Sequence, residues 1–395
     1  MRRVTTALAA AICLSLSPAA LVSAAAAADR ASAPVETKAR QALIVDGETG
    51  AVLFEKDAAA PFPPASLAKL MTMEVVFEAL EAGKLSLDQT FPVSEHAWRT
   101  GGAPSGTSTM FAGLNSSVPL DALIRGTIVQ AANDATIIIA EGMAGSEPGF
   151  AGLMNEAAKT LGLAGSHFVN PSGLPAEGQS VTARDLVTLA RHIEEHHPNF
   201  YAIYAEPSFE WNKIFQRNRN PLLAMGIGAT GMGTGYTEAS GYSLMGVTDR
   251  AGRKTFLALG GLDSIKDRTE EARRLLDWSN DTFERAELFA AKTPFGAASV
   301  YGGVVSNVPV ETHEPIVVYV PKEREDAVKA EFVYDGPLLA PVEAGQKIGR
   351  LSILIDGRES LSADLFAATA VEQGTFASRA MGAARELAFG WIRAL

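Results

Sequence analysis

The sequence predicts an α/β (α+β) chain: a mixed domain of hairpins and helices, then a small all-β domain and a terminal amphipathic helix. Three observations lead there. Hairpin-like segments at 42–55 and 242–259 enclose a long stretch of helical periodicity. From about residue 286, helical patterning gives way to short apolar runs between Gly, Pro and Asn turns. Helical spacing returns only at about 375–395. The expected divisions are 1–28 as a signal peptide, 29–285 as the mixed domain, 286–370 as the β domain and 371–395 as the tail helix.

Each part follows from its residues. Arg2 and Arg3 precede a mostly apolar run to Val22, and the alanines of 23–28 offer small-residue cleavage sites, the pattern of a secretory signal. Ser and Pro interrupt that run, which argues against a retained span. The single cysteine, Cys13, lies inside it, so the exported chain would hold no disulfide, thiol chemistry or cysteine-ligated metal. Losing Arg2 and Arg3 moves the formal charge from −11 to −13. Such an acidic protein is a poor nucleic-acid binder, and none is expected as a partner.

Ala42–Asp46 and Ala51–Glu55 read as strands joined by the Gly47–Gly50 turn. Next, Pro63 and Pro64 give an extended approach to Ser66-Leu67-Ala68-Lys69, where Leu70, Met73, Phe77 and Leu80 set a helical period. Positions i and i+3 share a helix face, so Ser66 Oγ and Lys69 Nζ can meet there, the pairing of a serine nucleophile with a lysine base. The tetrapeptide alone is also what an ordinary serine N-cap looks like.

Thr100–Ser108 reads as a surface loop. Leu120–Met143 is an apolar helical region in which Asn133 and Asp134 stand as polar residues needing partners, or as the joint between two helices. The 167–175 segment is a loop by its Asn-Pro and Gly content, and Thr182 caps a helix running to about His196. His192, His196 and His197 lack a carboxylate or cysteine in a usual metal spacing. They read as a solvated helix end, and no metal or other cofactor is expected. Gly226–Gly241 is glycine-rich without the strand-turn-helix context of a phosphate loop, and marks a close backbone approach instead. Arg268–Phe283 reads as a helix. In the tail, Phe376, Ala380, Ala384, Leu387, Trp391 and Leu395 share one face, opposite Arg379, Glu386 and Arg393. That helix suits a membrane interface and is too polar to span a bilayer.

Taken together, these segments resemble the serine-type D-alanyl-D-alanine carboxypeptidases, low-molecular-mass penicillin-binding proteins. The resemblance covers nearly all of the expected mature chain. It rests on the Asp46–Gly50 hairpin, Pro64–Thr72, Asn133-Asp134-Ala135, Asn170–Leu174, Thr182–Asp185 and Gly231–Thr237, with the β domain and tail in the family's order. It implies a penicillin-binding/β-lactamase-like transpeptidase fold, an antiparallel sheet flanked by helices with a helical subdomain. It also implies removal of the terminal D-alanine from pentapeptide stems of peptidoglycan through a Ser66 acyl-enzyme. β-Lactams would inhibit by acylating the same serine. The location implied is the periplasmic side of the cytoplasmic membrane, held peripherally by the tail.

The family's three motifs are Ser-x-x-Lys, Ser-x-Asn and Lys-Thr-Gly. The first is intact as Ser66 and Lys69. In the second, Ala131 replaces the serine and Asn133 remains. In the third, Gly233 replaces the lysine, while Thr234 and Gly235 remain. The resemblance gives Ser66, Lys69 and Asn133 catalytic roles and Thr234 and Gly235 substrate contacts. Arg268 matches an arginine that follows the family's paired strands and is the candidate substitute cation. Ala131 cannot relay a proton to the leaving amine, and Gly233 carries no charge. A catalytically weak or inactive cell-wall peptide binder is therefore the alternative. A β-lactamase would want a deacylating glutamate, and none stands out in the sequence.

Overall fold

The computed structural model describes residues 3–8, 35–322 and 324–376. The chain divides into two compact units: one of Ser32–Glu48 and Val52–Ser279, and one gathering Asn280–Leu395 with Met1–Ala31 and Thr49–Ala51. The expected tail helix and most of the expected signal segment lie outside the described residues.

The first unit is built on a five-stranded antiparallel sheet. Its strands are β1 (Gln41–Asp46), β2 (Val52–Lys56), β3 (Ala229–Thr237), β4 (Gly241–Arg250) and β5 (Arg253–Leu262). The order is β2-β1-β5-β4-β3, which leaves β3 at one edge. β1 and β2 form the expected hairpin, and β4 and β5 pair in register from Arg250↔Arg253 to Leu244↔Leu259. The glycine-rich stretch becomes β3, with Thr234 opposite Leu244 and Gly235 opposite Ser243.

Six helices matter here: α1 (Ala68–Glu81), α2 (Leu120–Val129), α3 (Asn133–Ala144), α4 (Glu147–Thr160), α5 (Ala183–His196) and α6 (Ile265–Thr282). Every residue of α1 from Ala68 to Phe77 is buried, so this helix runs through the core rather than along its surface. Its apolar side chains join Leu123 and Ile124 of α2, Ile137–Ile139 of α3 and Phe150 of α4 in one cluster. A fully buried side chain of this size contributes roughly 1.5–3 kcal/mol, so the cluster fixes α1 firmly. The region expected as one helix over 120–143 is two, broken at Gln130–Ala132, where Ala131 takes a left-handed φ of 56°. Thr182 caps α5 as expected, accepting from the backbone N–H of Asp185 at 3.0 Å.

His196 at the end of α5 is exposed, as a solvated helix end is, but His197 departs from that reading: it is only 3% exposed and faces Glu81 at 2.9 Å and the fully buried Glu74 of α1 at 3.5 Å. A glutamate more than a hundred positions away completes the cluster, so spacing within the helix could not reveal it.

The second unit contains a sheet in the order Arg3–Leu8, Val328–Asp335, Lys347–Ile355, Arg358–Ala367, Asn307–Glu311, Gly296–Tyr301, Leu338–Leu339. Phe283–Phe289 pairs separately with Ile316–Pro321. Val308, Val310, Val318, Leu351, Ile353 and Leu365 form a core of its own. Two features differ from the sequence reading. Arg3–Leu8, expected to lie outside the fold, pairs with Ala330–Asp335, as an open sheet edge permits for any extended segment. The strand bridges Val342↔Val371 and Gly303↔Gln373 carry the β structure into residues assigned to the tail. Among the described residues no helix is long and apolar enough to cross a membrane.

Candidate active site

Ser66 sits in a short 3-10 turn, Ala65–Leu67, that leads directly into α1. Ala65 has a left-handed φ of 48°, a conformation that costs a non-glycine residue roughly 1–3 kcal/mol and persists only where neighbours enforce it. Those neighbours are two glycines. A Cβ on Gly173 would lie 1.7 Å from the carbonyl oxygen of Ala65, and one on Gly235 would lie 2.9 Å from that of Pro64. The 170–174 loop and β3 therefore press directly on the backbone carrying Ser66. This is the close approach that the glycine-rich pattern announces.

Lys69, the second residue of α1, is almost wholly buried, and its side-chain nitrogen has three oxygen neighbours. They are Ser66 Oγ at 3.0 Å, Asn133 Oδ1 at 2.7 Å and the carbonyl of Ser172 at 2.5 Å. Burial pushes Lys69 down to about 7 from its ordinary 10.5, with Asp134 opposing the shift. At neutral pH a large fraction is therefore the free amine. A neutral amine has two N–H groups and one lone pair. Asn133 Oδ1 and the Ser172 carbonyl oxygen can accept only, so they take the two N–H groups and leave the lone pair facing the Ser66 hydroxyl. That arrangement is a base poised on a nucleophile.

Asn133 is the first residue of α3. Its Nδ2 donates to Thr107 Oγ1 at 2.9 Å and its backbone N–H donates to the Ser108 carbonyl at 2.7 Å. Asp134 is fully buried and accepts from Thr109 Oγ1 at 2.6 Å and from the N–H groups of Met110, Ala112 and Ala135. The loop read only as surface is thus stitched to the head of α3, and Thr107 is a site residue that the sequence reading missed. The 170–174 loop is held as firmly. Thr72 Oγ1 donates to the Pro171 carbonyl at 2.7 Å, and Asn170 Oδ1 accepts from Ser172 Oγ and the Gly173 N–H.

The open side of the cleft is formed by Thr234, Gly235 and Tyr236 of β3 together with Tyr242 and Arg268. Arg268 is 8% exposed, stacks its guanidinium 5.6 Å from the Tyr242 ring centre and leaves Nε without a hydrogen bond among the described residues. Burial lowers its pKa, and an anionic ligand would relieve that cost. Arg219 also lines the cleft beside Thr234 and, deeper, beside Gly233. Its backbone donates to the Val129 carbonyl at 3.0 Å and its Nε to Gln130 Oε1 at 3.2 Å. Arg219 is a second cation without a signal in the sequence pattern, because it comes from an irregular segment. Ser66, Lys69, Asn133, Thr234, Gly235 and Arg268 all converge on this one cleft, and Ala131 and Gly233 line it too.

Residues 27–259 match the family described as D-alanyl-D-alanine carboxypeptidase (peptidase S11), and residues 283–373 match the penicillin-binding protein 5 C-terminal domain. The D-alanyl-D-alanine carboxypeptidase DacC of Escherichia coli strain K12 is 35% identical over 344 residues, 86% of each chain. DacA of Haemophilus influenzae is 34% identical over 335 residues, covering 84% of this chain and 85% of the relative. The crystal structure of penicillin-binding protein 5 from Haemophilus influenzae superposes with a TM-score of 0.73 at 33% identity, over 86% of this chain and 99% of that one. With both halves of the chain matched in order, the chain belongs to the serine D-alanyl-D-alanine carboxypeptidases of the penicillin-binding protein family.

Proposed function

We propose that this family member is a working carboxypeptidase that removes the terminal D-alanine from peptidoglycan stem peptides through a Ser66 acyl-enzyme. The observation that carries the reading is the buried Lys69, lowered to about 7 and hydrogen-bonded so that its lone pair is left for Ser66. Ser66 Oγ attacks the carbonyl between the two terminal D-alanines as Lys69 takes its proton. The backbone N–H groups of Ser66 and Tyr236 receive the developing oxyanion. Collapse breaks the C–N bond, Lys69 returns the proton to the departing amine, and D-alanine leaves. Water then attacks the ester by the same route, restoring Ser66.

Substrate recognition falls to the other wall. The edge of β3 at Thr234-Gly235 pairs with the peptide backbone, a strand-addition mode that an exposed edge favours. The Thr234 hydroxyl and the Arg268 guanidinium take the terminal carboxylate, the latter as a charge-assisted contact of about 1.5–3 kcal/mol. Arg219 supplies positive potential on the side where Gly233 offers none. β-Lactams enter as mimics of the same dipeptide. A penicillin-binding protein D2 of Listeria monocytogenes, solved with ampicillin bound, shares the fold at a TM-score of 0.54 and 26% identity over 62% of this chain. The acidic chain is exported after loss of residues 1–28 and is held at the membrane surface by residues 371–395.

The test is acylation of the purified protein by a fluorescent penicillin, followed by D-alanine release from a pentapeptide. Labelling that disappears in Ser66→Ala, with D-alanine released by the wild type, is the expected result. A wild type that takes no label overturns the reading in favour of a binding-only relative. Label without turnover makes it a trap rather than a hydrolase.

A further inference from the structure

Behind the cleft, the first unit gathers a second set of polar groups that the peptidase chemistry does not use. Glu74 lies five residues beyond Lys69 on α1, about 7.5 Å along the helix axis. It is fully buried, and both its oxygens lack an aligned hydrogen-bond partner among the described residues. Two imidazoles face it. His192 Nε2 is 3.1 Å from Oε1, and His197 Nε2 is 3.5 Å from Oε2. The three groups each offer a ligand atom within 4.8 Å of the others.

We infer that Glu74, His192 and His197 form a binding site for a single divalent transition-metal ion of the zinc class. The spacing fits. Ligand atoms about 2.0–2.1 Å from a tetrahedral ion stand about 3.3 Å apart; the two imidazoles approach Glu74 at 3.1 and 3.5 Å, one at each carboxylate oxygen, and one ligand atom from each residue lies within 4.8 Å of the others. The misalignment fits as well. In a metal site the lone pairs point at a common centre, off the lines joining the ligand atoms. Contacts of 3.1 and 3.5 Å that fail as hydrogen bonds have this geometry. Imidazole with one carboxylate selects zinc, cobalt, nickel or copper over magnesium and calcium.

The surroundings are those of a supported site. His197 Nδ1 lies 2.9 Å from Glu81 Oε1, without hydrogen-bond alignment, so a second carboxylate stands on the far side of the ring from Glu74. The ring also packs at 5.6 Å from Phe77, which fixes its plane. His192 stacks on His196 at 4.1 Å between ring centres. A surface groove lined by Val75, Glu78, Glu81, His192, His196 and His197 gives an ion a way in. The ion would tie α1, which carries Lys69, to the end of α5 as a structural fastener.

The experiment uses the full-length protein after treatment with a chelator, titrated calorimetrically with zinc chloride, with cobalt(II) as a spectroscopic probe. One zinc per chain, a raised Tm and visible cobalt bands of tetrahedral intensity are expected. His192→Ala and Glu74→Gln should abolish all three. Glu81→Gln should weaken binding about 10–100-fold, as loss of an outer carboxylate does. His192 is only partly buried, so its alanine variant should remain folded and still take penicillin label, which separates a lost site from a lost fold. No saturable one-to-one binding, binding that persists in His192→Ala, or equal binding of magnesium or calcium would overturn the assignment. The first of these would leave the cluster a protonated ion network.

Discussion

The wall of the cleft formed by α1, the head of α3 and the 170–174 loop is tied together by a network of hydrogen bonds. The wall supplied by β3 is bare by comparison. On the first, Lys69, Asn133, Ser172 and Thr107 form one continuous set of hydrogen bonds, backed by the four donors that hold Asp134. On the second, Gly233 has no side chain, and a Cβ built there would meet nothing within 4 Å. The two departures from the family's motifs divide between these walls, and their contexts differ. Ala131 sits in a strained turn between α2 and α3, so the site has kept that turn and lost only a hydroxyl. Gly233 sits in open space on an edge strand. On the proposed mechanism, proton transfer is concentrated in the hydrogen-bonded frame around Lys69, while recognition of charge falls to arginines on other elements.

The rigid wall gives the largest expected effect. Gly173 has a φ of 78°, and its missing Cβ would collide with the Ala65 carbonyl at 1.7 Å. Gly173→Ala should displace the turn carrying Ser66, destabilise the protein by about 3 kcal/mol and cut penicillin acylation more than about 100-fold. Chemical denaturation and the labelling rate measure the two effects. If the variant labels at the wild-type rate, that wall is more pliant than its hydrogen bonds imply.

The next effect is a pH dependence with a definite sign. Only the neutral amine of Lys69 can act as base, and it gains its proton as pH falls through about 7. The acylation rate should therefore drop about tenfold per pH unit below that point, reaching about 100-fold below plateau at pH 5. Stability carries the matching signature. The folded state gives up this proton at about 7 and the unfolded chain near 10.5, so the unfolded state binds more protons in between. Lys69's contribution to stability then rises with pH across that window and is least favourable below it. A flat rate profile from pH 5 to 8 would remove Lys69 from the role of base.

What could be read from the sequence follows the range of the interactions. The Ser66–Lys69 pair was legible because both residues lie on one helix turn. The β1–β2 and β4–β5 hairpins were legible because their turns are local, and so was the Thr182 cap. The approach of Gly173 to Ala65 was not, since a glycine names a need for space without naming its neighbour. Thr107 was hidden in a loop whose only signal was polarity, and Arg219 in a segment with no period at all. His192 and His197 were misread for the same reason. Glu74, which they face, looks like an ordinary polar position on an apolar helix until the first part of α1 is seen to be buried. Asn133 is an intermediate case: its polarity in an apolar run was visible, but that it opens a helix toward Lys69 depends on the break at Ala131.

The bare wall yields the smallest change and the sharpest test of how the two walls share the work. Gly233 has a strand conformation with room for a side chain, so Gly233→Lys should fold without strain and add a cation beside Thr234. If the site lacks charge there, acylation should rise about tenfold, the lower end of what one charge-assisted contact contributes. Arg219 complicates that gain in an informative way, because it lines the cleft next to the same position. A lysine at 233 that helps little in the native chain but restores the rate lost in Arg219→Ala would show that Arg219 has taken over the lysine's electrostatic task. Equal gains in both backgrounds would show that the two positions act independently, and that the wall was simply left under-charged. The comparison needs only four proteins and one labelling rate for each, and the coupling between the two changes is read directly as a double-mutant cycle.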